Sequence, residues 1–173
     1  MANAVFTTKV NPVYDDLPEL RYHFPKTYLN QARESVGDWI VYYEPRRESA
    51  ELSGTAGCQC YFATARVNSI EPDSSRSDHY YAYVTDYLEF TKPVPFREGA
   101  TYYESSLRKE DGSTNRGQFG RALRLLPAEE YRVICHIGFS DSPPIPAPEE
   151  SLALAEDPIE YGHPRRVQIL ERP

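Results

Sequence analysis

Cysteine, tryptophan, methionine and long apolar runs are all scarce in this sequence. The 173-residue chain has three cysteines, one tryptophan and one methionine. An odd cysteine count argues against a disulfide framework and predicts a reduced, cytoplasmic protein with free thiols at Cys58, Cys60 and Cys135. The longest uncharged apolar run, Trp39 to Tyr43, is far too short to span a membrane, and the chain opens without the basic and apolar stretches of a secretory signal.

Positive charge is also in short supply, although it is unevenly distributed. The formal net charge is −7, and residues 134–173 hold 3 basic and 7 acidic side chains. An acidic chain does not coat nucleic acid non-specifically, because neutralising phosphates requires excess lysine and arginine. Many arginines nevertheless occur in pairs and clusters, so a local basic face that binds selectively is possible.

The residues that are abundant favour strands and turns. Fourteen tyrosines, seven phenylalanines and fifteen prolines stand against nine glycines. A helix, several mostly non-consecutive strands and a second helix predict an α+β fold, a small, partly open β-barrel flanked by helices. An irregular arm is predicted at residues 1–19, followed by a helix from Pro25 to Gly37. Strands are predicted at Trp39–Tyr43, Cys60–Ile70, His79–Phe90 and Arg121–Leu126. A second helix starts at Pro127, and a proline-rich linker at 140–148 and a last short strand at 167–170 follow it.

No catalytic or metal-binding constellation is visible in the sequence. The four histidines, His23, His79, His136 and His163, are far apart in the chain. The spacing of Cys58 and Cys60 is too tight for the usual zinc knuckle. The sequence therefore predicts no catalytic residue, no metal and no cofactor.

The first binding feature is the segment Tyr42-Tyr43-Glu44-Pro45-Arg46-Arg47. Adjacent strand residues face opposite sides, so one tyrosine should point into the barrel mouth and the other should pack outside. Aromatic rings stack on bases and guanidinium groups suit phosphates. On these six residues alone, a core tyrosine before a solvated turn is the simpler interpretation.

A second feature combines the segments Tyr102–Lys109 and Asn115–Arg121. Glycines 112, 117 and 120 would let backbone amides approach a phosphate backbone, and Phe119 could act as a wedge. The alternative is a flexible, solvated hairpin loop, for which Asp111-Gly112 is a plain turn signal. Because cations and aromatic residues interleave in both features, binding is favoured. A third segment, Arg21 to Tyr28, could form a ligand edge at a helix N-terminus or simply pack as a hydrophobic staple.

In order and spacing, these segments resemble the PUA superfamily, especially its EVE and ASCH groups. YHFPKTYLNQARESVGDWIVYYEP resembles the helix-then-strand unit, FATARVNSIEP the next barrel strand, and Arg121–Ile134 the closing strand and helix. The resemblance covers roughly residues 20–137. The strings YHFP, GDWIVYYEPRR, PVPFREG, YYESSLR and NRGQFGRALR further resemble the N-terminal domain of bacterial HNH endonucleases of the modification-dependent (type IV restriction) kind.

That resemblance implies a DNA-binding reader of modified cytosine, 5-methylcytosine or a related base, in the bacterial cytoplasm. A methyl group adds about 0.8 kcal/mol of apolar burial, so the whole base would be extruded into an aromatic pocket. The reader domain would span residues 20–137. The acidic, proline-rich tail, residues 138–173, would lead toward an HNH nuclease domain. The segment His163-Pro164-Arg165-Arg166 does not itself supply the HNH motif. Candidate base-pocket residues are Tyr22, Trp39, Tyr42, Tyr43, Ser105, Ser106 and Asn115. Candidate DNA-backbone residues are Arg46, Arg47, Arg108, Lys109, Arg116, Gly117 and Arg121.

Three other functions fit the same sequence. A PUA-like domain can bind RNA, and the NRGQFGR loop suits either backbone. A small-molecule or nucleotide sensor would suit the acidic charge. An ASCH-type hydrolase would place Lys26, Thr27 and Glu44 around a pocket, and only these three residues match it loosely.

Overall fold

The computed structural model describes residues 2–8, 17–45 and 59–140, which belong to a compact unit of residues 1–141. Arg46, Arg47, Cys58, His163 and the predicted elements beyond residue 140 lie outside the described residues. The strands are β1 (Asn3–Thr7), β2 (Arg21–Pro25), β3 (Trp39–Glu44), β4 (Cys60–Pro72), β5 (His79–Pro95), β6 (Arg97–Glu98), β7 (Thr101–Tyr102) and β8 (Leu123–Leu126). The α-helices are α1 (Leu29–Glu34), α2 (Arg116–Phe119) and α3 (Ala128–Gly138), and short 3-10 turns occupy Lys26–Tyr28 and Ser105–Leu107.

Six strands form one mixed sheet in the order β2-β5-β4-β3-β1-β8, and β6 pairs with β7 in a separate hairpin. The pairing of β1 with β3 is parallel and the others are antiparallel. The sheet curls so that its two edges approach each other. Tyr22 on edge strand β2 places its hydroxyl 2.8 Å from the Thr7 carbonyl oxygen and 3.0 Å from that of Ala122. The fold is therefore α+β with a partly open barrel, in agreement with the predicted fold class.

The N-terminal segment corrects the sequence-based prediction. Residues 1–19 are expected to be an arm, but Asn3–Thr7 is a strand between β3 and β8 with four of its five residues buried. Ala4 and Phe6 pack on one side of the sheet and Val5 packs on the other. A strand buried on both faces shows no alternation of apolar and polar residues, so the pattern that identifies half-buried strands is missing.

The chain before the first helix is also extended. Arg21–Pro25 pairs with β5 as strand β2. The sequence predicts no strand here, only a helix that starts at Pro25. The predicted helix then follows as a 3-10 turn at Lys26–Tyr28 and α1, and Gly37, with φ of 88°, ends the turn after it.

Strands β4 and β5 are longer than predicted, and their pairing is interrupted by three register shifts. Such bulges bend a strand and increase its twist, which is how a long pair can curl around a barrel core. Cys60 at the start of β4 is disulfide-bonded, so the expectation of a free thiol is wrong at this position. Cys135 on α3 is a free, partly buried cysteine.

Two apolar cores lie on opposite faces of the sheet. The inner core fills the half-barrel and includes Phe6, Tyr22, Phe24, Ile40 and Tyr42. The outer core is covered by α3 and by the segment that follows β5, and it includes Val41, Tyr43, Tyr61, Val94 and Ile134. No helix among the described residues is long and apolar enough to cross a membrane.

Candidate nucleic-acid interface

Three tyrosines that are predicted to form pocket walls are core residues in this structure. Tyr22, Tyr42 and Tyr43 are 2%, 0% and 1% exposed. As the alternation predicts, Tyr42 faces the inside of the half-barrel and Tyr43 the other side. The expectation that these tyrosines form open pocket walls is wrong for this conformation. Both faces of the sheet are covered, so none of the three rings offers a surface on which a base could stack.

The remaining predicted pocket residues lie on β3 and on the part of the chain that follows β5. Trp39 is half-buried at the start of β3, where it pairs with Arg66 of β4. Ser105 and Ser106 are exposed, and the Ser105 backbone amide donates to Glu130 on α3 at 3.1 Å. The Asn115 side-chain oxygen caps α2 by accepting a hydrogen bond from the Gln118 amide at 3.3 Å.

The predicted backbone-contacting residues that are described lie on one segment, residues 97–121, which we call the basic segment. Arg108, Lys109, Arg116 and Gly117 are exposed. Arg121 is half-buried, and its guanidinium carbon lies 5.7 Å from the centre of the Tyr28 ring. These cations therefore belong to one continuous stretch of the chain.

A buried ion pair holds the basic segment to the sheet. Glu104 within the segment binds Arg124 on β8 through two hydrogen bonds, Nη2 to Oε1 at 2.7 Å and Nε to Oε2 at 2.8 Å. Both side chains are at most 2% exposed. Burial by itself would lower the pKa of Arg124, but the hydrogen bonds and charge of Glu104 outweigh it and raise that pKa.

The ion pair is tied into both the outer core and the end of the basic segment. The Tyr61 hydroxyl donates to Glu104 Oε1 at 2.6 Å, and burial and the Glu104 charge raise the pKa of Tyr61. Arg124 Nη1 donates to the carbonyl oxygens of Phe119 at 3.3 Å and Arg121 at 3.1 Å. Because these carbonyls lie at the end of α2 and just after it, the buried guanidinium holds the end of the basic segment in place.

Sequence reasoning missed a second cationic group, at the β6–β7 hairpin. Arg97 lies 5.6 Å from the ring centres of both Phe96 and Tyr102, and its Nη1 donates to the Tyr102 hydroxyl at 3.0 Å. The hydroxyl also contacts Thr114 Oγ1 at 2.7 Å, and Thr114, then Arg97 and Arg108, lower the pKa of Tyr102. The signal that could have identified Arg97 is the tight turn at Gly99, with φ of 60°, between two short extended segments.

A separate cleft lies between the start of the 3-10 turn at Lys26–Tyr28 and the start of β5. Its volume is about 440 Å³ and it is lined by Pro25, Lys26, Thr27, Asp78 and His79. Two of the three residues that match an ASCH-type hydrolase, Lys26 and Thr27, line this cleft. Glu44, the third, lies at the end of β3 and pairs with Cys60.

The His23 side chain next to this cleft is structural. Its Nε2 lies 2.9 Å from Asp73 Oδ2, and its ring stacks on Tyr81 with centres 4.6 Å apart. Within residues 2–8, 17–45 and 59–140, no three His, Cys, Asp or Glu side chains are grouped to hold a metal ion.

No family model and no curated protein matches this sequence. Among solved structures, the chain is similar to Rpa0253 from Rhodopseudomonas palustris, with a TM-score of 0.50 and 12% identity, over 80% of this chain and 93% of that one. It is also similar to the N-terminal domain of Staphylothermus marinus McrB (TM-score 0.47, 14% identity, 76% and 92% covered) and to Atu2648 from Agrobacterium tumefaciens (TM-score 0.48, 13% identity, 85% and 99% covered). At this identity, the likeness to Rpa0253 concerns the fold alone.

Proposed function

We propose that this chain binds double-stranded DNA through the basic segment and reads modified cytosine, 5-methylcytosine or a related base. The observation that carries this proposal is the set of exposed cations on a segment that a buried ion pair fixes to the sheet. A preorganised cationic surface loses less conformational freedom when it contacts phosphates than a floppy loop does.

The local charge of the basic segment contrasts with that of the whole chain. The segment carries five cations, Arg97, Arg108, Lys109, Arg116 and Arg121, within a protein of net charge −7. Of its four acidic residues, Glu104 is buried against Arg124, which leaves Glu98, Glu110 and Asp111 beside the five cations at the surface. Because Arg124, which neutralises Glu104, lies outside the segment, the surface charge of the segment is more positive than its composition implies.

The choice of modified cytosine rests on the sequence resemblance to the PUA superfamily and to the N-terminal domain of modification-dependent HNH endonucleases. On that basis the reader would be the specificity domain of a bacterial, cytoplasmic HNH restriction enzyme, with no cofactor and no catalytic residue of its own. Because β1 is part of the sheet, we extend the proposed reader domain beyond residues 20–137 at its N-terminus.

The test measures, by fluorescence anisotropy, how tightly the purified chain binds three matched duplexes. They differ only at one position, which carries cytosine, 5-methylcytosine or 5-hydroxymethylcytosine. We expect a modified duplex to bind most tightly, and binding to weaken steeply with salt because counterions are released. Tighter binding to RNA of the same sequence would instead identify an RNA-binding module. Equal affinity for all three duplexes would reject the reading of modification.

A second candidate function is suggested by the cleft lined by Lys26 and His79. This cleft of about 440 Å³ is open to solvent and is lined by Lys26 next to Thr27 and by His79 next to Asp78. A nucleotide sensor would bind free nucleotides there with no DNA affinity. Titration with nucleoside monophosphates, observed at the His79 ring by NMR, distinguishes this function from DNA binding.

A further inference from the structure

The outer core contains a polar atom with no partner. The Tyr43 hydroxyl is buried, and among the described residues it has no hydrogen-bond partner. Buried hydroxyl groups are nearly always hydrogen-bonded, because losing the bond to water without a replacement is costly. An exception in a core that is otherwise well satisfied calls for a physical reason.

The surroundings of Tyr43 are unusually polar for a core. Its ring centre lies 5.4 Å from that of Tyr61 and 5.6 Å from the guanidinium carbon of Arg124. The Phe119 ring meets Tyr43 edge-on, with centres 5.6 Å apart and planes at 81°. The Phe119 ring centre also lies 6.0 Å from the Arg124 guanidinium carbon, so one side chain packs beside both groups.

Phe119 is the most exposed member of this group, and its ring also packs edge-on against Phe96, with centres 4.9 Å apart. It is only half-buried, whereas Tyr43, Tyr61 and Arg124 are at most 3% exposed. It ends the four-residue helix α2 and is followed by Gly120. Its backbone carbonyl accepts from Arg124, so the side chain can rotate outward while the backbone of the segment stays in place.

We propose that the Phe119 side chain is a removable cover over a pyrimidine-binding pocket, in which the Tyr43 hydroxyl hydrogen-bonds to the polar edge of the base. This inference rests on the proposed function, because the ligand is a cytosine extruded from the DNA that the basic segment binds. It assigns a role to Tyr43 that agrees with its predicted use as a pocket wall, although the ring is closed off when no DNA is bound.

The base matches the Phe119 ring in shape, and its polar edge matches the Tyr43 hydroxyl. Phenylalanine and cytosine both present a flat six-membered ring, so the base can fill the space that Phe119 leaves. A hydroxyl is both donor and acceptor, and it can therefore pair with the amino group or with an acceptor on the cytosine edge. The departing Phe119 lies between Arg116 and Arg121 in sequence, where it can fill the gap left in the base stack, as apolar wedges do.

Two substitutions test this pocket with free 5-methyl-2′-deoxycytidine, measured by NMR titration. Phe119→Ala removes the cover, and we expect the nucleoside to bind about tenfold more tightly than to the unsubstituted chain, because no aromatic contact of the order of one base–aromatic stack has to be broken first. Tyr43→Phe added to Phe119→Ala should abolish that gain. Phe139→Ala, which removes an exposed ring at the end of α3, is the matched control and should leave nucleoside binding unchanged.

Stability and DNA binding separate the possible failures. Tyr43→Phe alone should melt at the same temperature as the parent or higher, because it deletes an unpartnered polar atom; a clearly lower melting temperature would overturn the inference. If the parent chain prefers modified duplexes but Phe119→Ala gains no nucleoside affinity, the pocket is wrong and the proposed function stands. If the parent binds no duplex while Phe119→Ala gains nucleoside affinity that depends on Tyr43, the pocket stands and the DNA function fails.

Discussion

Glu104 and Arg124 are joined by two hydrogen bonds of 2.7 and 2.8 Å while both side chains are almost completely buried. Their pairing connects the basic segment to the edge strand β8. Charges are buried at a large desolvation cost, and they are tolerated only when geometry and hydrogen bonds compensate for it. The pair therefore fixes one arrangement of the segment that carries the exposed cations.

The first prediction concerns this ion pair. Glu104→Gln leaves the Arg124 guanidinium buried without a counter-charge, and we expect the free energy of unfolding to fall by about 3–5 kcal/mol. Urea denaturation at neutral pH measures the change. Arg124→Met in the same chain removes the orphaned charge, so the double variant should be more stable than Glu104→Gln alone. A Glu104→Gln protein as stable as the parent would show that the pair does not hold the segment.

The second prediction separates phosphate contacts from base recognition. Arg108→Ala and Arg116→Ala should weaken binding to plain and modified duplexes alike, and each should reduce the slope of log affinity against log salt by about 1. Arg132→Ala is the matched control, because Arg132 is exposed on α3 and pairs with Glu129 at 2.5 Å. A control variant that lowers DNA affinity as much as the other two would place the interface elsewhere.

The third prediction tests the contact between α3 and the sheet. A Cβ atom at Gly138 would lie 2.4 Å from two ring carbons of Phe90, so Gly138→Ala forces the helix away from β5. We expect a loss of about 1–3 kcal/mol in the free energy of unfolding, as for other overpacked cores. Gly117→Ala is the comparison, because its Cβ would meet only the Asn115 oxygen at 3.5 Å. Adding Phe90→Leu should restore part of the loss at Gly138.

The fourth prediction is a pH dependence that comes from Asp73. Hydrogen bonds from the hydroxyl and backbone amide of Ser75, followed by the bond to His23, lower the pKa of Asp73. A carboxyl whose pKa is lower in the folded state stabilises the fold above its unfolded pKa, about 4, and loses that contribution as the pH falls through the folded value. Asp73→Asn should therefore show a shallower loss of stability between about pH 5 and pH 2 than the parent. Identical acid slopes in urea denaturation would contradict the assignment.

The sequence predicts strands β3, β4, β5 and β8 and the start of α3: β4 and β5 follow from apolar alternation, β3 from a short aromatic and β-branched run, and α3 from Pro127 and the acidic residues after it. Apolar alternation failed for β1, which is buried on both faces, and no strand was predicted for β2, although the helical turn expected at Pro25 does follow directly at Lys26. Both errors have the same cause: a short strand in a curled sheet is specified by its neighbours, which are distant in sequence.

The candidate site was predictable in composition and only partly in geometry. The period of two correctly put Tyr42 and Tyr43 on opposite faces, but it carries no information on whether each face is covered. The pairing of Glu104 with Arg124 spans 20 residues and two elements. Its only sequence trace is a charged residue within the apolar run Leu123-Arg124-Leu125-Leu126.

The most direct test of the central claim is an NMR titration of the isotope-labelled chain with a duplex that carries one 5-methylcytosine. The account predicts that the amide resonances that shift first belong to the basic segment, residues 97–121, and that they shift less at high salt. Shifts confined to the cleft between Pro25 and His79, with the basic segment unaffected, would contradict it.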